Sequence, residues 1–332
     1  MIPTLLSFDV EPDGFFLDRT RPPSWRGFEL SLPFVRALRD RLTRATGRPA
    51  RFNWLLRMDP QVADTCGSAD WIAREHRAAF DELEGHGDEI GLHVHAYRWD
   101  AALVDWIIDH GNQAHVDLCV VVAVEAFAHA FGRPARAFRF GDRWTNDATL
   151  RKLEALGVRY DMTVEPGHRA AATYHPGKPF TGSLPDTQRV PRVPYQPTAF
   201  DFRVPAEPRS DGLWIIPVTT APVRPRLARR AYYRLVRPER LMLAWNALLS
   251  HDPVLFGRII DWTLDRGGTT HLSLVLRSQA LAVPSIVRRI ERNVDRLLAR
   301  PEAPELVWTT PEHAVPPAQT ARGDRAGAAA TA

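Results

Sequence analysis

Gly87-Asp88-Glu89-Ile90-Gly91-Leu92-His93-Val94-His95-Ala96-Tyr97 is the stretch on which the fold turns. Its apolar residues recur at every second position, the period of a β-strand. Ile90, Leu92 and Val94 then face one side, and Gly91, His93, His95 and Tyr97 the other. Two imidazoles two residues apart on one strand face can share a metal ion. The N-terminus offers a matching strand over residues 3–11. Leu6, Phe8 and Val10 form its apolar face; Ser7, Asp9 and Glu11 form its polar face, with both carboxylates at the C-terminal end. Taken singly, a strand histidine is as readily a satisfied core residue, and a strand-end aspartate as readily a helix cap. Together, His-x-His and Asp-x-Glu on strands of the same geometry point to a hydrolytic metal site.

Working outward, strand-like and helix-like segments alternate. The patterning predicts helices over 32–46, 68–84, 113–131, 146–156, around 238–250, 253–266 and 284–299. Strands are predicted over 50–58, 135–140, 158–164, 213–219 and 270–277. Regular alternation implies a parallel sheet with helices outside, open or closed into a barrel, and a site at the carboxyl ends of the strands. Residues 165–210 are Pro-rich, irregular and too long for an ordinary connection, which marks a functional excursion. The reading is one domain over 1–310, followed by a disordered Pro/Ala/Gly/Thr tail over 311–332.

The bulk properties exclude several classes. The 332 residues are 45% hydrophobic and 25% charged, as in soluble globular proteins. The pI near 9.4 looks basic, but the formal charge is only +4, and no zinc-finger or aromatic-basic module is present, so no nucleic acid partner is expected. Cys66 and Cys119 lie far apart and read as free thiols of a reducing compartment. No basic segment followed by an apolar one opens the chain, and no run of about 18 apolar residues is seen, so a cytoplasmic protein without a spanning helix is expected. Leu118–Ala130 reads as a buried helix.

An ordered set of motifs resembles the polysaccharide deacetylase family, the NodB-homology domain of carbohydrate esterase family 4. Ser7-Phe8-Asp9-Val10-Glu11 resembles its first motif, Thr-Phe-Asp-Asp. Glu89-Ile90-Gly91-Leu92-His93-Val94-His95 resembles its second, Glu-Ile-Gly-Asn-His followed by another His. Phe138-Arg139-Phe140-Gly141, Leu156-Gly157-Val158-Arg159-Tyr160-Asp161 and Leu213-Trp214-Ile215-Ile216-Pro217-Val218 resemble later motifs in the same order. The resemblance covers about residues 1–300 and implies a distorted (β/α)7 barrel. It implies Asp9 as catalytic base and Arg139 as the arginine that orients it. It implies one divalent metal, zinc by preference, on Glu11, His93 and His95. Glu11 is displaced by one residue from the usual aspartate ligand, and His95 stands in for a histidine whose usual place is taken by Tyr97.

The largest departure is Arg277, at the end of the last strand, where the family has a general-acid histidine. A guanidinium releases no proton near pH 7, so its expected work is to hold substrate or the site's carboxylates. His271, six residues back, is about 20 Å away along the strand and cannot replace the acid. His168 and His175 are alternative donors, more readily read as exposed loop residues. Trp99, Trp144, Tyr174 and Tyr195 follow strands and could stack on sugar rings, or anchor loops. The Arg-rich segment 224–240 fits an anionic glycan, a nucleotide- or lipid-linked sugar, or an anionic membrane surface, but is more readily read as a solvated helix face. The implied activity is metal-dependent removal of N-acetyl groups from a sugar of a cell-envelope polysaccharide or its precursor. The alternatives are a catalytically impaired glycan-binding member of the fold, and an amidohydrolase acting on a small non-sugar amide or cyclic imide.

Overall fold

The computed structural model describes residues 1–223 and 244–316. Seven parallel strands form one curled sheet: β1 (Ile2–Val10), β2 (Asn53–Arg57), β3 (Glu89–Val94), β6 (Ala137–Phe140), β7 (Tyr160–Asp161), β9 (Trp214–Ile215) and β12 (Leu272–Arg277). Their spatial order is β12-β1-β2-β3-β6-β7-β9, and β13 (Leu306–Trp308) also pairs with β1. Helices α1 (Arg26–Thr46), α5 (Gln113–Phe131), α6 (Asp147–Ala155), α7 (Pro253–Leu264) and α8 (Pro284–Leu298) surround it. The stretch after β9 bridges the open side. The Thr219 N–H donates to Ser273 O on β12 (3.0 Å), Ala247 N–H to Thr219 O (2.8 Å), and Leu249 N–H to Val275 O (2.9 Å). The result is the distorted barrel that the resemblance implies, one of the two arrangements the alternation leaves open.

Strand alternation sorts the side chains. Leu5, Leu55, Ala137, Tyr160, Met162, Trp214 and Ile216 pack together inside the barrel. Leu6, Phe8, Leu56, Leu92, Val94 and Phe138 belong to the larger core under the helices, where Phe8 stacks on Trp54 at 4.3 Å. Each such fully buried Leu or Phe contributes about 1.5–3 kcal/mol relative to an exposed one, so a one-residue slip that exchanged the faces would be prohibitive. The register therefore fixes which side chains reach the mouth. Asp9 lies beside Arg277, and His93 lies between Arg57 and Arg139. Gly91 has a packing reason: a Cβ there would sit 2.4 Å from Ala137 O on β6.

Several expectations are corrected. The helix predicted over 68–84 is two short helices, α3 (Trp71–Glu75) and α4 (Arg77–Gly85), preceded by an unpredicted α2 (Pro60–Cys66). After His95 the chain makes an unpredicted hairpin, β4 (Tyr97–Asp100) and β5 (Asp105–Asp109), to which β8 (Phe180–Thr181) of the excursion adds a strand. The described part of the helix predicted around 238–250 contains instead strand β11 (Trp245–Asn246), paired with β10 (Thr220–Ala221). Ordered structure runs past residue 310: Pro311–His313 forms a 3-10 turn and Ala314 packs on the barrel interior. The rest of the predicted tail, 317–332, and the Arg-rich segment 224–240 lie outside the described residues. Helix α5 is, by length and composition, apolar enough to cross a membrane, contrary to expectation. It buries one face only, through Val116, Cys119, Val120, Ala123 and Phe127, while Leu118 is exposed.

Candidate metal site at the barrel mouth

Glu11, His93 and His95 converge at the carboxyl ends of β1 and β3, all three buried. The two Nε2 atoms are 3.1 Å apart, and Glu11 Oε2 is 3.8 Å from His93 Nε2 and 3.5 Å from His95 Nε2. Ligands of a tetrahedral ion with bonds of about 2.1 Å stand about 3.4 Å apart, close to all three edges of this triangle. Glu11 Oε2 is buried without a hydrogen-bond partner, an expensive condition for a carboxylate oxygen unless a cation takes it up. His93 Nδ1 lies 3.0 Å from the carbonyl of Arg139. That contact puts the ring proton on Nδ1 and leaves Nε2 as a bare donor, the tautomer a metal ligand needs. The three side chains fit one divalent ion.

Electrostatics agree with the geometry. Burial pushes the Glu11 carboxyl up, but His95, His93 and Arg277 outweigh it and bring it down to about 2. Burial holds the His93 ring down at about 4, hence neutral at pH 7. Burial and Arg57 disfavour a charged His95, yet Asp142 and Glu11 raise its pKa overall.

The supporting residues come from loops that follow the strands. The His95 N–H donates to Asp59 Oδ2 (3.0 Å), which also receives Arg57 Nε (2.8 Å), while Asp59 Oδ1 caps α2. Arg57 is fully buried, lies over the Tyr97 ring and donates to Gln61. Gly141 abuts the His95 ring so closely that a Cβ would lie 2.1 Å from Cε1. Asp142 is the hub of the other side. Its Oδ2 lies 3.7 Å from His95 Nδ1, its Oδ1 is 2.9 Å from His175 Nε2, and the Tyr97 hydroxyl donates to it at 3.0 Å. Burial raises the Asp142 carboxyl, but His95 and His175 pull it well below the usual range. Asp142 and Arg143 both have left-handed backbone, φ 56° and 59°, which is uncommon for side chains other than Gly and Asn and clusters at functional sites.

Asp9 and Arg139 sit beside the triad. Arg139 Nε is 3.4 Å from Asp9 Oδ1, and its Nη2 is 3.5 Å from Glu165 Oε1. Glu165 also accepts from Asn246 (2.9 Å) and lies 3.5 Å from His168 Nε2. Arg277 points to the mouth: Nη2 reaches the Tyr174 hydroxyl at 3.5 Å, and its guanidinium lies 5.2 Å from the Phe15 ring centroid. His168 and His175 are not the exposed loop residues expected. His168 is buried and His175 is wedged beside Phe15 and Phe16.

Trp99, Trp144 and Tyr195, three of the four aromatics read as able to stack on sugar, do not form a platform. Trp144 is buried, with His110 stacked at 5.0 Å on it and Phe140 against it. Tyr195 is buried and donates its hydroxyl to Phe202 O (2.7 Å). Both anchor loops. Trp99 is half-buried against Trp106, under Arg19. Tyr174, the fourth aromatic so read, does lie at the mouth, where its hydroxyl meets Arg277. Sequence reasoning missed Asp142, Glu165 and Arg57 as site-shaping residues. The signal for Asp142 was its place in Phe-Gly-Asp-Arg-Trp, directly after an arginine-bearing strand.

No family model and no curated protein matches this chain. Among solved structures it is similar to a protein of Parabacteroides distasonis described provisionally as a glycoside hydrolase/deacetylase: 13% identity, 92% of this chain and 68% of that one covered, TM-score 0.52. A protein of Mycobacterium smegmatis, described provisionally as a polysaccharide deacetylase, matches at 12% identity over 90% of this chain and 85% of that one, with TM-score 0.42. IcaB from Ammonifex degensii matches at 16% identity over 56% of this chain and 92% of its own length, with TM-score 0.25. At such identities the first of these likenesses concerns the fold. The chain has a distorted barrel of the deacetylase type, with a carboxylate–dihistidine cluster at its mouth.

Proposed function

We propose that this protein is a metal-dependent hydrolase that removes N-acetyl groups from a sugar of a cell-envelope polysaccharide or of its nucleotide- or lipid-linked precursor. The observation that carries the reading is the convergence of Glu11, His93 and His95 beside the Asp9–Arg139 pair. A divalent ion, zinc by preference, would be held by those three residues and would supply a polarised acyl oxygen and an acidified water.

The chain's own residues do the rest. Asp9, the carboxylate that Arg139 faces at 3.4 Å, accepts a proton from the attacking water. Arg139 orients Asp9 from one side, and through its carbonyl fixes the His93 ring from the other. The water oxygen bonds to the acyl carbon, and the carbon–nitrogen bond then breaks. The leaving amine needs a proton, which Arg277 cannot give. Asp9, having taken one, returns it to the amine; the second water proton stays on the acyl product, so a free amine and acetic acid form, and the acid ionises in water. Buried Glu11, His93 and His95 exclude bulk water from the reacting centre.

Arg277 at the place of the family's acid favours a second reading, a glycan-binding protein without turnover. Acetate release from a panel of N-acetylated glycans and nucleotide sugars by zinc-reconstituted protein decides between them. Turnover abolished by His93→Ala supports the hydrolase. Stoichiometric metal with glycan binding but no acetate supports the binding protein. A ring-opened acid from a cyclic imide, with no acetate from any sugar, refutes both.

A further inference from the structure

Two guanidinium groups at the mouth are left over once the carboxylates are assigned. Asp9 and Glu165 lie on Arg139, Asp59 on Arg57, Asp142 on His175, and Glu11 faces the two imidazoles. Arg143 and Arg277 form no ion pair among the described residues. Arg143 Nε and Nη1 are buried and have no hydrogen-bond partner. Both guanidinium carbons lie against one ring, 5.7 Å (Arg143) and 5.9 Å (Arg277) from the Tyr174 centroid, so they are no more than about 12 Å apart. Both come from segments that border the metal triad. Arg143 follows Asp142, the neighbour of His95, and Arg277 is the register partner of Asp9. Buried N–H groups of a cation without acceptors are unfavourable unless a ligand supplies them.

We propose that Arg143, Arg277 and the Tyr174 hydroxyl form an anion subsite. The substrate is then an N-acetylated sugar that carries a carboxylate or phosphate near its acetamido group. Arginine forks bind both oxyanions bidentately. The substrate class rests on the deacetylase reading; the anion site itself does not.

The test uses the full chain, zinc-loaded and chelator-treated. Acetate release is compared on N-acetylglucosamine oligomers, N-acetylmuramic acid, its methyl ester and N-acetylglucosamine 1-phosphate. A preference of about 10-fold or more in kcat/KM for an anionic member is expected, as one charge-assisted pair supplies. It disappears in the methyl ester, and the carboxylate and phosphate arms show which anion is taken. In Arg143→Gln and Arg277→Gln the preference shrinks through KM. Inorganic phosphate raises the melting temperature of chelator-treated parent protein and does so less in both variants. Should a Gln variant fail to fold, Arg143→Lys and Arg277→Lys, which keep the charge without the fork, are expected to keep only part of the preference. Acetate release with equal kcat/KM for acid and ester, and phosphate shifts unchanged in the variants, overturn the subsite and leave the hydrolase standing. Arginine-dependent phosphate binding without acetate from any substrate overturns the hydrolase and leaves the anion site.

Discussion

Gly141→Ala is the smallest change that separates a metal site from a chance cluster. A Cβ at 141 would lie 2.1, 2.4 and 2.5 Å from Cε1, Nδ1 and Nε2 of His95. Ordinary carbon contacts begin near 3.4 Å, so the ring must retreat by about 1.3 Å or β6 must give way. Neither is easy. The ring is hemmed in by Tyr97 at 4.6 Å between centroids, by His93 Nε2 and by Asp142, and its backbone is tied to Asp59. Overpacking of this kind costs about 1–3 kcal/mol, which a barrel of this size survives. Coordination does not survive it, because metal–nitrogen bonds tolerate about 0.2 Å. The variant should fold, by far-UV circular dichroism and a melting temperature within several degrees of the parent. Its zinc affinity, measured by chelator competition, should fall by 100-fold or more, beyond the roughly 10–100-fold seen when only an outer partner is lost. Parental zinc affinity and acetate release in folded Gly141→Ala would refute the placement of His95 as a ligand.

Further outcomes follow from the same geometry. Asp9→Asn should keep its metal while hydrolysis falls about 100-fold or more; loss of metal in that variant would make Asp9 a ligand. Asp142→Asn keeps a residue that tolerates left-handed backbone but removes the charge that faces His95 and His175. Zinc affinity should drop about 10–100-fold with little change in melting, and unchanged affinity would remove Asp142 from the site. Asp161 is a buried carboxyl whose desolvation raises its pKa from 3.8 to about 7. The native chain keeps a proton that the unfolded chain releases, so this residue's stabilisation is full below about pH 4 and is lost as the pH rises through about 7. Asp161→Asn can still accept from Thr163. Its stability advantage over the parent in urea unfolding should widen by about 2–3 kcal/mol from pH 5 to pH 8, and a gap independent of pH would show an ordinary carboxyl.

What was legible in the sequence is what one strand can express. The two-residue period placed Glu11, His93 and His95 on inner faces, and parallel register brought their strand ends together. Asp142 and Glu165 became visible only in three dimensions, because loop residues carry no periodicity and their partners are distant in sequence. His175 illustrates the point. In sequence it is a polar residue in a Pro-rich excursion, yet the excursion folds over the mouth and places it on Asp142. Trp144 and Tyr195 failed the other way: an aromatic after a strand reads the same whether it faces a ligand or closes a loop. The short strands β7 and β9 carry two residues each, too few for any pattern to bound them.

The central claim is that Glu11, His93 and His95 together hold one divalent ion. Zinc-edge X-ray absorption on the reconstituted full chain, with elemental analysis, tests it most directly. One ion per chain is expected, bound by two imidazole nitrogens and a carboxylate oxygen at about 2.0–2.2 Å, with loss of that ion in both Glu11→Ala and His93→Ala. An ion retained at full stoichiometry in either variant, or a first shell without two imidazoles, would contradict it.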